Sequence, residues 1–217
     1  RNRLPENKPA KAAPQADGYA GRHFRGAMIW SSDWEDYSIT AIPYGIYDFT
    51  ISDDGVGAQP LFVGMSQDWM GGAFRKNHFY GIRNISMFGS LTGVATIDVD
   101  MNTWTRAREV FAENPSFDLL PCVMSYDMVT GNIYGIFYNE DLTGLNWVKY
   151  DPATLQRTVL GRFGGKFNVV ALGAAPDGNM YVVSTDGDLY TVDRQSGRVS
   201  LVGYTGVNVA CLLYTSD

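Results

Sequence analysis

Residues 188–203 read "DLYTVDRQSGRVSLVG", and residues 146–161 read "NWVKYDPATLQRTVLG". Each stretch is a run of β-forming residues, an aspartate, a short polar turn and a second β-run that ends in glycine. In the later copy the run 188–192 leads into Asp193, turns through "RQSG" and resumes at 198–202. In the earlier copy Tyr150 precedes Asp151, "PATL" makes the turn, and 156–160 resumes. An aspartate at the head of such a turn accepts hydrogen bonds from backbone N–H groups two or three residues on, while Pro152 and Gly197 supply turn dihedrals. Both stretches therefore read as the same hairpin.

The repeating unit extends upstream. "VVALGAAPDGNMYVVSTDG" (169–187) precedes the later hairpin, and "LPCVMSYDMVTGNIYGIFYNEDLTG" (120–144) precedes the earlier one. Each adds two more strands separated by turn residues. Two fainter copies lie at 71–111 and 26–64. Aligning the last strands puts Gly64, Ala112, Gly161 and Gly203 in register, at intervals of 48, 49 and 42 residues. Units of that length with four short strands each are the signature of a β-propeller, whose blades repeat at about 40–50 residues. The fold class expected is therefore all-β, a propeller of four-stranded blades. About four blades are present, at 26–64, 65–112, 113–161 and 162–206, with a fifth beginning at 207–210.

Composition fits this plan. Hydrophobic residues make up 45% and charged residues 18% of 217, with 24 Gly, 13 Tyr, 11 Phe and 5 Trp; such a chain can bury a core and favours pleated, turn-rich structure. Blades stack face to face, so central strands should be apolar on both sides, as in "IYGIFY" and "MYVVS". The strand nearest the axis is crowded, and "MGGAF" (70–74) and "ALGAA" (171–175) use small residues there. A serial β-sandwich is the competing architecture; it predicts alternation in every strand and no fixed period. The first blade shows only three strands, at 26–30, 44–50 and 59–63, because "GYAGRHFR" before them is short, basic and poor in β-formers. The expectation is an incomplete ring, with 44–63 at one exposed end and 208–210 at the other.

At this point the order "TGNIYGIFYNEDLTG…YDPATLQRTVLG…PDGNMYVVSTDGDLYTVDRQSGRVSLVG" resembles the N-terminal propeller of large secreted proteins of gut bacteria, over roughly residues 26–206. Those proteins often continue into fibronectin-type and jelly-roll domains and a cell-surface sorting signal. The resemblance implies export to the cell surface or exterior and a setting of binding or adhesion. Its motifs are turn and strand motifs, and the family supplies no catalytic residues to carry over.

Charge is uneven. Residues 1–25 carry six basic residues against Glu6 and Asp17, whereas the remainder carries 11 basic and 21 acidic residues, a net of −10. A body that acidic repels phosphate backbones, which argues against a nucleic-acid partner. Residues 1–25, with their Pro, Ala and Lys, read as a flexible lead-in. No apolar run approaches the roughly 18 residues of a membrane span, so no membrane insertion is expected.

In a propeller, the loops joining second to third strands and those joining successive blades open on one face. That face collects Asp33, Trp34, Glu35 and Tyr37 from 31–41, Asp68 and Trp69 from 65–70, Phe88 from 84–92, Asp118 from 112–118 and Asp141 from 139–143. Rings stack on the apolar sides of pyranoses and carboxylates accept from their hydroxyls, so this mixture suits a glycan or a protein surface. Loops are polar in any case, and Trp34 and Trp69 would equally cap the core. The opposite turns, such as "APDG" and "RQSG", look short and ordinary.

Signatures of catalysis are sparse. The two histidines stand apart, His23 in the lead-in and His78 at the start of a second strand away from the acids, which disfavours Ser/His/Asp or Cys/His chemistry. Cys122, in an inner apolar strand, reads as a small buried hydrophobe. "DVDMNTWTRARE" (98–109) spaces oxygens like a calcium loop, but Thr103 stands where the tight turn needs glycine, and strands rather than helices flank it. No metal or cofactor is expected. A binding module is the first reading; a glycoside hydrolase using two carboxylates is the alternative, and a structural spacer the second.

The final letters "CLLYTSD" (211–217) match one reading frame of the transposase end sequence used to tag sequencing libraries, although "CLLYTS" would also make an acceptable strand. Resequencing the locus without fragmentation tags is expected to give different codons after Ala210. The same seven residues in an independently cloned gene would refute this.

Overall fold

The computed structural model describes residues 23–28, 45–52, 55–63, 69–87, 90–113, 115–164 and 168–206. It is an all-β chain whose four small antiparallel sheets stand as the blades of a β-propeller. The first sheet has three strands, β1 (His23–Met28), β2 (Gly45–Ser52) and β3 (Gly55–Val63). The second contains β4 (Trp69–Arg75), β5 (His78–Met87), β6 (Ser90–Asp100) and β7 (Thr105–Glu113). The third contains β8 (Pro121–Asp127), β9 (Asn132–Tyr138), β10 (Leu145–Asp151) and β11 (Gln156–Arg162). The fourth contains β12 (Val169–Ala174), β13 (Met180–Ser184), β14 (Asp188–Val192) and β15 (Val199–Tyr204). Within every sheet each strand pairs with its neighbours in sequence.

The repeat read from the sequence has a structural counterpart. Trp147 pairs with Gly161 and Val148 with Val159, leaving Leu160 as an extra residue in β11. In the last blade Leu189 pairs with Gly203 and Tyr190 with Leu201, leaving Val202 extra in β15. In both blades the bulged residue directly precedes the glycine that aligns the copies. Such bulges bend a strand and sharpen its twist, and their recurrence gives the two outer strands one shape.

A five-residue turn recurs as well, headed by Asp100, Asp127, Asp151 and Asp193. Their Oδ1 atoms accept the backbone N–H of Asn102, Val129, Ala153 and Ser196, at 2.8, 3.0, 2.9 and 2.8 Å. Hydroxyls of Thr130, Thr154 and Ser196 close the later three at 2.7, 2.9 and 2.6 Å. The residue four places after each aspartate has positive φ: Trp104 (53°), Gly131 (72°), Leu155 (62°) and Gly197 (72°). Glycine accepts that conformation without strain, whereas Trp104 and Leu155 are held in it by the closed turn.

Three apolar clusters join the sheets in a row. Ile46 of β2 meets Phe74, Phe79, Ile97 and Val99 of the second sheet. Ala73, Ile82 and Val94 pack against Met124, Ile133, Phe137, Val148 and Tyr150 of the third. Tyr134, Ile136 and Trp147 pack against Leu172, Met180, Val182 and Val192 of the fourth. Among the described residues no cluster joins the fourth sheet to the first. At the inner edge β4 lies against β8, and β8 against β12. A Cβ on Gly71 would stand 3.0 Å from Cγ of Pro121, which is why that crowded strand carries glycine.

The structure corrects the sequence reading at several points. β1 begins at His23, inside the segment read as lead-in, and β3 begins at Gly55 rather than 59. "IYGIFY" is buried on both faces as expected, for Ile133 to Phe137 are all buried between two other sheets. "MYVVS" instead alternates, with Met180, Val182 and Ser184 buried and Tyr181 and Val183 only partly so. Its buried face meets the third sheet, and among the described residues no cluster covers the other. Residues 1–22, 207–210 and 211–217 lie outside the described residues, and with them the remaining lead-in, the start of a fifth blade and the terminal heptad.

The joint between the third and fourth sheets centres on Trp147. Its side chain is 0% exposed, stacks on Tyr134 at 5.4 Å and 7°, and donates from Nε1 to the Arg194 carbonyl at 2.8 Å. Gly197 closes over it, and a Cβ there would fall 2.4 Å from Cβ of Trp147. Trp147→Ala is expected to cost about 3–5 kcal/mol, read as a lower midpoint in denaturant unfolding. Gly197→Ala is expected to lower it too, through both the clash and the positive φ.

Candidate functional site

The face predicted from the loop order is described only in part. Asp33, Trp34, Glu35, Tyr37, Asp68 and Phe88 lie outside the described residues, and Trp69 is described only as the first residue of β4. Asp118 and Asp141 are described. Asp118 sits in a single 3₁₀ turn, Phe117–Leu119, between β7 and β8. The carbonyl of Leu120 just beyond it accepts the Tyr138 amide at 3.0 Å, tying this connection to the end of β9. Asp141 lies in the turn that leaves β9, residues 139–144.

The two carboxylates are held differently. Asp118 Oδ2 lies 3.3 Å from Nη1 of Arg157, and the same guanidinium donates to the Asp118 carbonyl. This cation on β11 fixes the 3₁₀ turn to the third blade. Asp141 is exposed, and its Oδ1 accepts the Thr143 hydroxyl at 2.6 Å and the Thr143 amide at 3.0 Å. Asn139 supports the turn by donating from Nδ2 to Thr143 Oγ1 and accepting the Gly144 amide, both at 3.0 Å. The Thr143 hydroxyl, then its amide, hold the Asp141 carboxyl below its ordinary value of 3.8. Beside these acids Phe117 is 36% and Leu142 49% exposed.

Three other aspartates are likewise held by their own turns. Asp151, Asp177 and Asp193 are each lowered from 3.8, mainly by the Ala153 amide, the Asn179 amide and the Ser196 hydroxyl respectively. Asp127 differs in being 0% exposed. It meets Arg194 of the next blade, Nε to Oδ2 at 2.7 Å and Nη2 to Oδ1 at 3.2 Å. A buried carboxylate left without that partner would be costly, so the pair fixes blade to blade.

His78 does open β5; its Nδ1 lies 2.7 Å from Asp98 Oδ1, and its ring stacks on Tyr80 at 5.8 Å. The calcium-like stretch is a hairpin between β6 and β7, with Asp98 engaged by His78 and Asp100 by its own turn. Cys122 is a free thiol on inner strand β8, partly rather than fully buried. Burial pushes it up to about 11 beside the Tyr138 hydroxyl, itself pushed up to about 12. Among the described residues no three His, Cys, Asp or Glu side chains come close enough to hold a metal. Among them also, no helix is long and apolar enough to cross a membrane.

Sequence reasoning passed over a concavity on the opposite face. A groove of about 1220 Å³ opens between the third and fourth blades, with Tyr134, Lys149 and Leu160 on one side and Thr191, Arg198 and Ser200 on the other. Its rim includes Arg194 and Gln195 of the "RQSG" turn. That turn is indeed short, but it borders the groove.

No family model matches the chain, and no curated protein does. Solved structures give distant likenesses. A protein of unknown function from Bacteroides caccae is 10% identical, with 90% of this chain and 78% of that one covered and a TM-score of 0.44. The designed protein Ika4 is 14% identical, with coverage of 69% and 81% and a TM-score of 0.39. A luciferin-regenerating enzyme is 10% identical, with coverage of 78% and 61% and a TM-score of 0.42. The chain thus spans less than two thirds of that enzyme, and about half of a virginiamycin B lyase from Staphylococcus aureus.

Asp141 provides a direct test of the loop geometry. Its lowered value means that the folded turn gains stability above the ordinary carboxylate value and loses it as pH falls through the folded one. Thr143→Val removes the main donor, and the Asp141 midpoint is expected to rise toward 3.8. Carboxyl-carbon NMR titration reads it, and an unmoved midpoint would contradict the assignment.

Proposed function

We propose that the chain is an exported propeller module that binds a glycan or a protein surface through the loop end carrying Asp118 and Asp141. One observation supports this reading: each anchored carboxylate has an exposed apolar residue next to it in sequence, Asp118 with Phe117 and Asp141 with Leu142. Carboxylates accept from hydroxyls and amides, while the apolar neighbours cover the hydrophobic side of a sugar ring or peptide. Export rests on the resemblance of the blade sequence to secreted propellers of gut bacteria.

A carboxylate-pair hydrolase differs in what it demands. It needs one carboxyl raised so as to stay protonated beside another that is ionised. Asp141, an exposed acid of the 139–144 turn, is lowered by its own threonine and so fits only the ionised member of such a pair.

Screening the intact protein on a glycan array, with reducing-end analysis of the bound sugars, tests the reading. Retention of a glycan without cleavage is expected, and Asp141→Ala with Phe117→Ala is expected to weaken it by about tenfold. Cleavage would favour the hydrolase, and silence on every glycan and surface protein tried would favour a spacer.

A further inference from the structure

We propose a second binding site, in the groove between the third and fourth blades, for a carboxylated or sulfated oligosaccharide. It lies on the face opposite the loop end discussed above and stands independently of that reading. The chain carries a net charge of −6, yet the groove gathers Lys149, Arg194 and Arg198 against the single rim carboxylate of Asp193. Arg194 is spent on buried Asp127. Asp193 is spent on its turn, where Ser196 occupies Oδ1 through both amide and hydroxyl. What remains is Lys149, which has no ion-pair partner among the described residues, and Arg198, whose Nε reaches Ser196 Oγ at 3.3 Å and whose charge also acts on Asp193 from a distance. Among the described residues, two cations without a direct carboxylate contact thus border one cavity on an otherwise acidic body. Such a site attracts an anion and holds it by charge-assisted hydrogen bonds.

The rest of the lining selects the kind of anion. Between the cations the groove presents hydroxyl and amide side chains, including Thr191, Gln195, Ser200 and Asn179, which can pair with the hydroxyls of a sugar chain. Its volume of about 1220 Å³ exceeds that of pockets for single small molecules, about 300–1000 Å³, so an oligomer fills it better than a free anion. An acidic peptide would most readily add to a free strand edge. Tyr134 and Lys149 line the groove from interior strands β9 and β10, whereas Leu160 and Ser200 come from the edge strands β11 and β15, so hexaglutamate is the control that separates a peptide from a saccharide.

The test titrates the intact chain with a chondroitin sulfate hexasaccharide, a galacturonate hexamer, neutral maltohexaose and hexaglutamate, by calorimetry at two salt concentrations. At least one acidic saccharide is expected to bind, more weakly at high salt, with maltohexaose and hexaglutamate silent. Lys149→Glu and Arg198→Glu are each expected to weaken binding by about tenfold. Circular dichroism and melting should be unchanged, since neither side chain belongs to the apolar joint. Asp141→Ala should leave this binding intact, which separates it from the loop end. Equal binding of the neutral sugar, equal binding of hexaglutamate, indifference to both charge reversals, or no binding of either acidic saccharide would each overturn the proposal.

Discussion

A four-stranded sheet of such short strands cannot hide its apolar residues alone, and everything else here follows from the need to cover both of its faces. The third blade meets that need completely. Ile133, Phe137 and Val148 turn toward the second sheet, while Ile136 and Trp147 turn toward the fourth. Burial there removes whole side chains from water, at about 25 cal/mol for each Å² of apolar area. The polar devices between blades serve that packing: the Trp147 indole needs a carbonyl, and Arg194 both offers its own and brings its guanidinium to Asp127. One residue thereby satisfies two buried polar groups at the same joint.

The same constraint explains the turns. Sheets that stack at close range need hairpins that end abruptly and do not interfere with their neighbours. An aspartate whose oxygens bind the amide and hydroxyl of its own turn does this with five residues. It also steadies Asp151 and Asp193 in their ionised form. Among the described aspartates, Asp151 and Asp193 build turns, Asp118 meets a cation on a nearby strand, and Asp127 both builds a turn and meets Arg194.

Much of the fold was legible because glycine and aspartate recur at fixed places. The run "YDPATLQRTVLG" shows its hairpin, and Gly161 and Gly203 mark one bulge in two blades. Where Trp104 or Leu155 takes the left-handed position instead of glycine, the motif disappears from view, and 98–109 imitates a cation loop. The alternating burial of "MYVVS" escaped notice because its letters are uniformly apolar; only the neighbouring sheet decides which of them are covered. For the loop face, strand order put Asp118 on the connection into β8 and Asp141 on the turn after β9, and the structure has them there. Strand order could not disclose the groove, since Lys149 and Arg198 belong to different blades and meet only through strand register and blade stacking.

The pairing of every strand with its sequence neighbours has a kinetic consequence. Within the described sheets no hydrogen-bonded ladder waits for a distant part of the chain. Contacts of such short range are quick to close, because little loop entropy is lost before they form. A blade can therefore zip up while the residues after it are still being synthesised, and each finished blade becomes the template on which the next condenses. Assembly can then proceed blade by blade, and a substitution such as Gly197→Ala would interrupt it at the joint where it occurs.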